Sequence, residues 1–503
     1  MKIEDIKKHK VGLAFCVLQV LISLVFFIRI LMVNVLKPGI MTGIGFALLC
    51  LAAITVLLNL YPRVHIIGKT MAILLSVVLV IGIVYVNKTD STIDQITTAK
   101  KKVANVSVIA LKKSGLTTIN DAEKDHFGIV SAIDKKSTNK AVENLNTKLK
   151  KTISTKGYQD YVSLAKGLYD GEVKTIILNE AYRNVIKGKY KDFDKQTVVL
   201  NKYKSETEIN LGKVTKNLTD EPFLVFLTGI DTSGKVDKVM RSDVNMVATV
   251  NPKTKQILLT SVPRDYYLET SVSNGEKDKL THTGQYGVDC SVETLEKLFD
   301  VDINYYFRVN FSGFKDIINA LGGVTVHSDY TFKADWGPSF KKGDNKVNGK
   351  QALAFARQRH EFYKGKKTGL QGGDFQRIKD QQYLVKAIIE KATSPKILTN
   401  FIGIMDSVSK SFETNINSSD IKGLLKMQID EMPEWNIVMT SLDGKCGMEY
   451  TFTHSIPRVK YSVVYVRESQ VEASNKMIGR VLDGKKIKKS DFDDLVQEYI
   501  DKH

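Results

Sequence analysis

Aspartates and arginines recur at short spacing in the second half of this chain. An uncharged run, Pro222 to Ile230, reads as a buried strand and ends on Asp231, followed by Thr-Ser-Gly. A buried strand that delivers a carboxylate to a glycine turn is a common layout for an active site. Ten residues after Asp231 come Arg241, Ser242 and Asp243. Val244 to Val250, the turn Asn251-Pro252-Lys253-Thr254 and a second strand from Gln256 to Val262 then predict a hairpin. It runs out at Pro263-Arg264-Asp265, so Asp231, Asp243 and Arg264 fall at or near strand ends. Farther on, Gly349-Lys-Gln-Ala-Leu-Ala-Phe-Ala leads into Arg357-Gln358-Arg359, and Gly372-Gly373-Asp374-Phe375-Gln376-Arg377 precedes Gln381. Phosphoryl transfer asks a protein for positioning and positive charge, supplied by a divalent metal and by arginines on the phosphate oxygens. Aspartate is a suitable magnesium ligand, and guanidinium forks match phosphate oxygens while staying charged. Any one of these residues alone reads as a structural ion pair; only their accumulation points to a site.

The elements that hold them begin in a membrane. At 503 residues the chain has room for more than one core. Its apolar residues concentrate before Asn87: Val11 to Ile28 lacks any charge, Ile40 to Tyr61 lacks any ionisable group but the tyrosine, and Thr70 to Val86 adds 17 uncharged residues. Each approaches the roughly 20 residues that cross a bilayer, which predicts three spans joined by short turns at Lys37-Pro38-Gly39 and around Pro62 to Lys69. Lys2, Lys7, Lys8 and Lys10 before the first span, with Arg63 and Lys69 between the second and third, put the N-terminus inside and everything after Val86 outside. Residues 88–219 are lysine-rich and α+β in pattern, with strand runs at Val106 to Ile109 and Phe127 to Val130 and a helical repeat through Ala141, Val142, Leu145 and Leu149. No catalytic spacing occurs there, and a small accessory domain is expected. Cys16 and Cys50 lie in apolar runs; Cys290 and Cys446 could pair, but nothing in the sequence brings them together.

The ordered set LTGID, RSDVNMV, SVPRD, KLTHTGQYG, LGGV, NGKQALAFARQR and GGDFQR-x-x-x-Q, from Pro222 to Gln382, resembles the LytR-CpsA-Psr family of Gram-positive cell-wall proteins. The three spans and extra domain make the whole chain similar to its streptococcal capsule-biosynthesis, CpsA-like branch. The resemblance implies an α/β fold, an αβα sandwich with a central mixed sheet around an apolar lipid pocket, here spanning 220–482. Added to it are the α+β accessory domain at 88–219, the cytoplasmic N-terminus and three transmembrane helices at 1–87, and a charged tail at 483–503. It implies Asp231 and Asp243 as ligands of Mg2+ or Mn2+, and Arg264, Arg357, Arg359 and Arg377 as a pyrophosphate clamp, with Arg241 and Gln381 nearby and Asp374 as a second-tier candidate. Asp243 and Arg264 are the expected catalytic pair. The activity implied is transfer of a capsular or related anionic polysaccharide from a polyprenyl-pyrophosphate carrier to peptidoglycan at the outer face of the cell membrane.

Alternatives stay open at this point. The same site acting on water would make a lipid-pyrophosphate hydrolase, and a non-enzymatic membrane regulator or lipid-binding scaffold is a third possibility. A net charge of +18 suits nucleic acid, anionic lipid or anionic wall polymer about equally. The expected cytoplasmic parts are too small for a helix-turn-helix, so no nucleic-acid partner is expected. No glycine-rich nucleotide loop has the right context, so no nucleotide is expected either. Between Arg359 and Gly372 the basic stretch with Lys364, Lys366 and Lys367 reads as a surface loop or flap. His360 stands beside the arginines with no partner visible in sequence, and ranks as a neighbour.

Overall fold

A computed structural model describes residues 3–33, 38–61, 63–97, 101–131, 135–208, 217–230, 241–273, 275–335, 337–363, 366–398, 404, 407–408, 411–454 and 459–503. The chain divides into two compact units. The first holds Met1–Thr97 with Lys391–Ser409 and Asn417–Glu434; the second holds Thr98–Glu390, Lys410–Ile416 and Trp435–His503.

In the first unit, helices Ile3–Val33, Pro38–Leu60 and His65–Thr97 pack on one another. Their segments Lys10–Val33, Pro38–Leu60 and His65–Asn87 are each long and apolar enough to cross a membrane. Polar side chains inside the bundle hydrogen-bond to one another: Thr55 Oγ1 donates to Gln19 Oε1 at 2.6 Å, and Asn59 Nδ2 to Cys16 Sγ at 3.0 Å. Such bonds are favoured where the alternative is hydrocarbon.

In the second unit, the accessory region is a five-stranded mixed sheet in the order 154–158, 126–130, 175–179, 101–111, 197–208. Helix Lys135–Leu149 covers one face through Ala141 and Leu145, against Val108, Phe127 and Ile177. Helix Tyr161–Tyr169 covers the other through Leu164, Ala165 and Leu168, against Ile109, Ile176 and Leu178. The second cluster continues into Tyr286, Cys290 and Phe452, so the accessory sheet shares a core seam with the C-terminal part of the same unit. Cys290 is buried, Cys446 is exposed, and both are free thiols.

The larger sheet has six strands in the order 412–414, 305–310, 223–230, 242–251, 256–261, 436–441. Strand Tyr305–Asn310 runs parallel to Phe223–Ile230, and Asn436–Ser441 parallel to Gln256–Ser261, while the central hairpin is antiparallel. Successive side chains on a strand point to opposite faces, and here the two faces have different fates. Leu224, Phe226, Val247, Leu258 and Tyr306 enter the main core with helices Val288–Phe299 and Glu468–Leu482. Residues 483–503, expected as a charged tail, contribute to the same core: Ile487 is buried there, and helix Lys489–Lys502 adds Phe492 and Leu495. The charges of that helix occupy its solvent side while an apolar stripe at helical spacing packs inward.

The opposite face, with Val225, Leu227, Ala248, Val250, Ile257, Phe307 and Val309, meets no solid core. It lines a cavity of about 570 Å3 roofed by helices Phe311–Ala320, Gly349–Arg357 and Gly373–Ala392. With helices on both faces of one mixed sheet, the architecture is the expected αβα sandwich. Two of the roof helices approach closely at Gly349, where a Cβ would come within 2.3 Å of the Lys315 carbonyl oxygen.

Candidate functional site

The cavity is greasy along its length and charged at one end. Ile230 pairs with Ser242 and with Asn310, so three strand ends meet at the same edge of the sheet. Asp243 opens its strand at this edge and Arg264 comes just after the strand Gln256–Ser261, placing the two together as the hairpin predicts. Arg264 Nη1 donates to Asp243 Oδ1 at 2.9 Å. Its Nε lies 3.9 Å from Asp265 Oδ2, and Asp265 is held in turn by Lys279 Nζ at 2.5 Å. Burial by itself would lower the Arg264 pKa; Asp243, Asp265 and Asp374 outweigh it and raise the value above the usual one.

Arg377 comes from the first turns of helix Gly373–Ala392, whose start is set by Gly372 and Gly373 at φ +83° and +55°, conformations that glycine adopts freely. On this helix Arg377, Gln381, Leu384, Val385 and Ile388 share one face at helical spacing, and all five line the cavity. Arg377 Nη2 forms an ion pair with Asp374 Oδ1 at 2.6 Å. Burial depresses the Arg377 pKa below the usual value; Asp374 and Asp243 oppose that, and Arg264 and Arg359 add to it. The guanidiniums are therefore close enough to feel one another. The Nε groups of both Arg264 and Arg377 are buried and donate to nothing. Buried orphan donors cost free energy, and a phosphate oxygen is the kind of acceptor that would satisfy them.

Arg357 ends helix Gly349–Arg357, which begins with a reciprocal cap: Asn348 Oδ1 accepts from Gln351 N, and Gln351 Oε1 from Asn348 N, both at 3.0 Å. Its guanidinium stacks 4.4 Å from the centroid of the Phe311 ring. Arg359 is exposed, and both arginines line the cavity. Gln381 Nε2 donates to the Ala356 carbonyl oxygen at 3.1 Å, tying its helix to the residue before Arg357.

Of the residues expected from sequence, the structure brings together Asp243, Arg264, Arg357, Arg359, Arg377 and Gln381, with Asp374 paired to Arg377. Arg241 is exposed and does not line the cavity. Asp231 lies outside the described residues. Among those described, no group of three His, Cys, Asp or Glu side chains is placed to hold a metal. Of the two expected ligands, Asp243 is a hard oxygen donor, suited to a magnesium ion that completes its shell with phosphate oxygens, the way this ion is commonly bound.

Residues 184–473 match the profile of the LytR_cpsA_psr family. The chain belongs to this family. Its curated relatives include the polyisoprenyl-teichoic acid–peptidoglycan teichoic acid transferase TagU of Bacillus mycoides, 37% identical over 244 residues, 48% of this chain and 75% of that protein. TagU of Enterococcus faecalis is 35% identical over 221 residues, 43% of this chain and 69% of that protein. Solved structures that resemble it include Bacillus subtilis TagV, at 29% identity and a TM-score of 0.43, covering 53% of this chain and 99% of that one. Another is TagT bound to LI-WTA, at 25% identity and a TM-score of 0.40, covering 52% and 91%.

Within the LytR_cpsA_psr site, sequence reasoning missed one pair. His360, ranked as a neighbour for want of a partner, has one: its Nδ1 lies 2.8 Å from Asp335 Oδ2. Asp335 stands 25 residues upstream in a segment with no motif, and only the fold joins the two. The KLTHTGQYG motif has a structural part: Asp278 and His282 are buried together, with His282 Nδ1 2.6 Å from Asp278 Oδ1. In the basic stretch after Arg359, Phe362–Tyr363 pairs antiparallel with Lys366–Lys367; Lys364 lies outside the described residues.

Proposed function

We propose that this chain transfers a capsular or related anionic polysaccharide from a polyprenyl-pyrophosphate carrier to peptidoglycan. It would act at the outer face of the cell membrane, with its N-terminus in the cytoplasm and three spans as anchor. One observation carries the reading: Arg264, Arg357, Arg359 and Arg377 stand with Asp243 at the charged end of an apolar cavity of about 570 Å3. A diphosphate head and a hydrocarbon tail need those two environments side by side. The names of the relatives, transferases of polyisoprenyl-linked teichoic acid, support the same class of carrier and acceptor.

In this reading the prenyl chain lies between the sheet and the three roof helices. Arg264 and Arg377, each with an unused buried Nε donor, hold the diphosphate oxygens, and Arg357 and Arg359 cover the side open to solvent. Asp243 orients the Arg264 fork. Asp243 with Asp231 would hold Mg2+ or Mn2+, which supplies charge neutralisation to the diphosphate when bound. The acceptor hydroxyl attacks the phosphorus that carries the polymer, and polyprenyl phosphate leaves.

The test uses the full chain in lipid nanodiscs with a radiolabelled polyprenyl-pyrophosphate oligosaccharide and purified peptidoglycan. Label becomes wall-bound with the wild type and fails to with folded Arg264→Ala. Free sugar phosphate with no wall-bound label would mean a hydrolase. Undiminished attachment by Arg264→Ala would mean a scaffold.

A further inference from the structure

A transfer to a sugar hydroxyl must dispose of the hydroxyl proton, and the two carboxylates at the arginines are each engaged by a guanidinium. One oxygen of Asp243 is taken by Arg264 and one of Asp374 by Arg377. The cavity has a third kind of titratable group at its charged end, the imidazole of His360.

That imidazole is built in. The Asp335 side chain is 3% exposed and the His360 side chain 50%. Asp335 Oδ2 meets His360 Nδ1 at 2.8 Å, while Asp335 Oδ1 accepts from Gln358 Nε2 at 3.0 Å. Gln358, fully buried, also accepts the Asp335 backbone N–H on its Oε1 at 2.9 Å and donates from Nε2 to the His360 carbonyl oxygen at 2.9 Å. Both Asp335 oxygens are thus committed, and an ionised carboxylate only accepts, so Nδ1 carries the hydrogen. In the neutral imidazole Nε2 then keeps its lone pair. A carboxylate that fixes the tautomer and orientation of an imidazole is the arrangement of the Ser-His-Asp triad, in which histidine serves as the base.

We propose that His360 is the general base of the transfer and that Asp335, itself oriented by Gln358, is its positioning residue. The inference rests on the reading of the cavity as a polyprenyl-pyrophosphate site. His360 Nε2 takes the proton of the acceptor sugar hydroxyl as its oxygen forms a bond to the phosphorus that bears the polymer. The bridging P–O bond of the diphosphate breaks, and its electron pair leaves with polyprenyl phosphate, held by Arg264 and Arg377. The imidazolium then returns its proton to solvent. Half-exposure suits this role, since the acceptor is a wall polymer that must arrive from outside while the lipid stays in the cavity.

A purely structural part for the pair, pinning the segment after helix Gly349–Arg357 to the 332–340 loop, predicts different kinetics. His360→Asn puts an amide N–H where Nδ1–H was, so the bond to Asp335 survives and the base does not. In the full chain in nanodiscs, with a fluorescent polyprenyl-pyrophosphate oligosaccharide and uncrosslinked peptidoglycan strands, His360→Asn should lower kcat about 100-fold or more, with KM for the lipid substrate within about threefold. His360→Ala should be partly restored by added imidazole, by at least about tenfold. Asp335→Asn should lower kcat by a smaller factor, again with KM nearly unchanged. A His360→Asn enzyme with wild-type kcat, or a His360→Ala enzyme that imidazole does not restore, would overturn the base assignment and leave the transferase reading standing. A wild-type protein that binds the lipid substrate yet passes its polymer to neither wall nor water would overturn both.

Discussion

Ala248 faces the cavity from the middle of strand Ser242–Asn251, paired with Val225 on one side and Leu259 on the other. Replacing it with phenylalanine adds six carbons to the space assigned to the prenyl chain and leaves the ladder bonds intact. If those carbons displace an equal number of lipid carbons, the lost burial is about 5 kcal/mol at about 0.8 kcal/mol for each. That figure is a ceiling, reached only if the tail cannot bend around the ring. A floor of about 1.4 kcal/mol corresponds to a tenfold weaker Kd. Overpacking should cost the apo protein little, because the new ring enters open space rather than a filled core. Isothermal titration of the detergent-solubilised full chain with a long-chain polyprenyl diphosphate should therefore show Kd raised at least tenfold. Inorganic pyrophosphate, which needs only the arginine end, should bind as to the wild type. Equal long-chain affinities for the two proteins, both folded, would refute the placement of the tail between sheet and roof helices. Loss of pyrophosphate binding as well would show that the two ends of the cavity are not independent.

Arg377→Lys keeps a charge but not the fork, and should lower kcat/KM for transfer by about 10- to 100-fold, measured at fixed ionic strength. Gln381→Ala removes the bond to the Ala356 carbonyl oxygen and should cost roughly threefold to tenfold in kcat/KM, the equivalent of about 1 kcal/mol; combined with Arg357→Ala it should add little, since both act through one guanidinium. Burial pushes the Asp380 carboxyl from 3.8 up to about 8, with Asp329 adding to the rise and Gln376 opposing it. The folded state then holds a proton that the unfolded state has lost, so stability falls as pH climbs from about 4 to about 8. Asp380→Asn should thus stabilise the protein by as much as about 4 kcal/mol at pH 7 and by almost nothing at pH 4, read from denaturant midpoints. Chelation should abolish transfer, with Mg2+ or Mn2+ restoring it and Ca2+, which prefers a larger oxygen shell, restoring it poorly.

The features legible in the sequence were local or periodic. The uncharged run before Asp231 and the hairpin beyond it could be read because burial on both faces and a Pro-containing turn each leave a direct mark on composition. The pairing of Asp243 with Arg264 is a consequence of that hairpin, since antiparallel strands bring the start of one beside the end of the next. The helix face carrying Arg377 and Gln381 can be read from spacing alone. Contacts between distant segments left no such mark. Asp335 reaches His360 through the fold rather than through the chain, and Gln358, hidden between Arg357 and Arg359, gives no sign in sequence that it turns inward to hold that aspartate. The stretch 483–503 reads as a charged tail yet folds into the core for a related reason. Its charges dominate the composition, while Phe492 and Leu495, three apart on a helix, decide its packing.

The two faces of the central sheet show why the cavity is a functional feature. Leu224, Phe226, Val247 and Leu258 interlock with helices on one side, but their strand neighbours Val225, Ala248 and Ile257, equally apolar, border open volume. At about 24 cal/mol for each Å3 of void, the scaling found for small buried cavities, 570 Å3 would correspond to about 14 kcal/mol, comparable with the whole stability of a domain. The cavity is not fully enclosed and so costs less than this ceiling. A second packed face and larger roof side chains would still remove the cost with a handful of substitutions. A fold that keeps such a space, walls it with hydrocarbon and ends it with paired guanidiniums and two unused buried N–H donors is matched to an occupant that is apolar along its length and anionic at its head. Free phosphate would use only the charged end, and a neutral lipid only the apolar walls. In the proposed reading a prenyl diphosphate would use both, and the polymer it carries would project past Arg357 and Arg359 toward His360, where the acceptor would arrive.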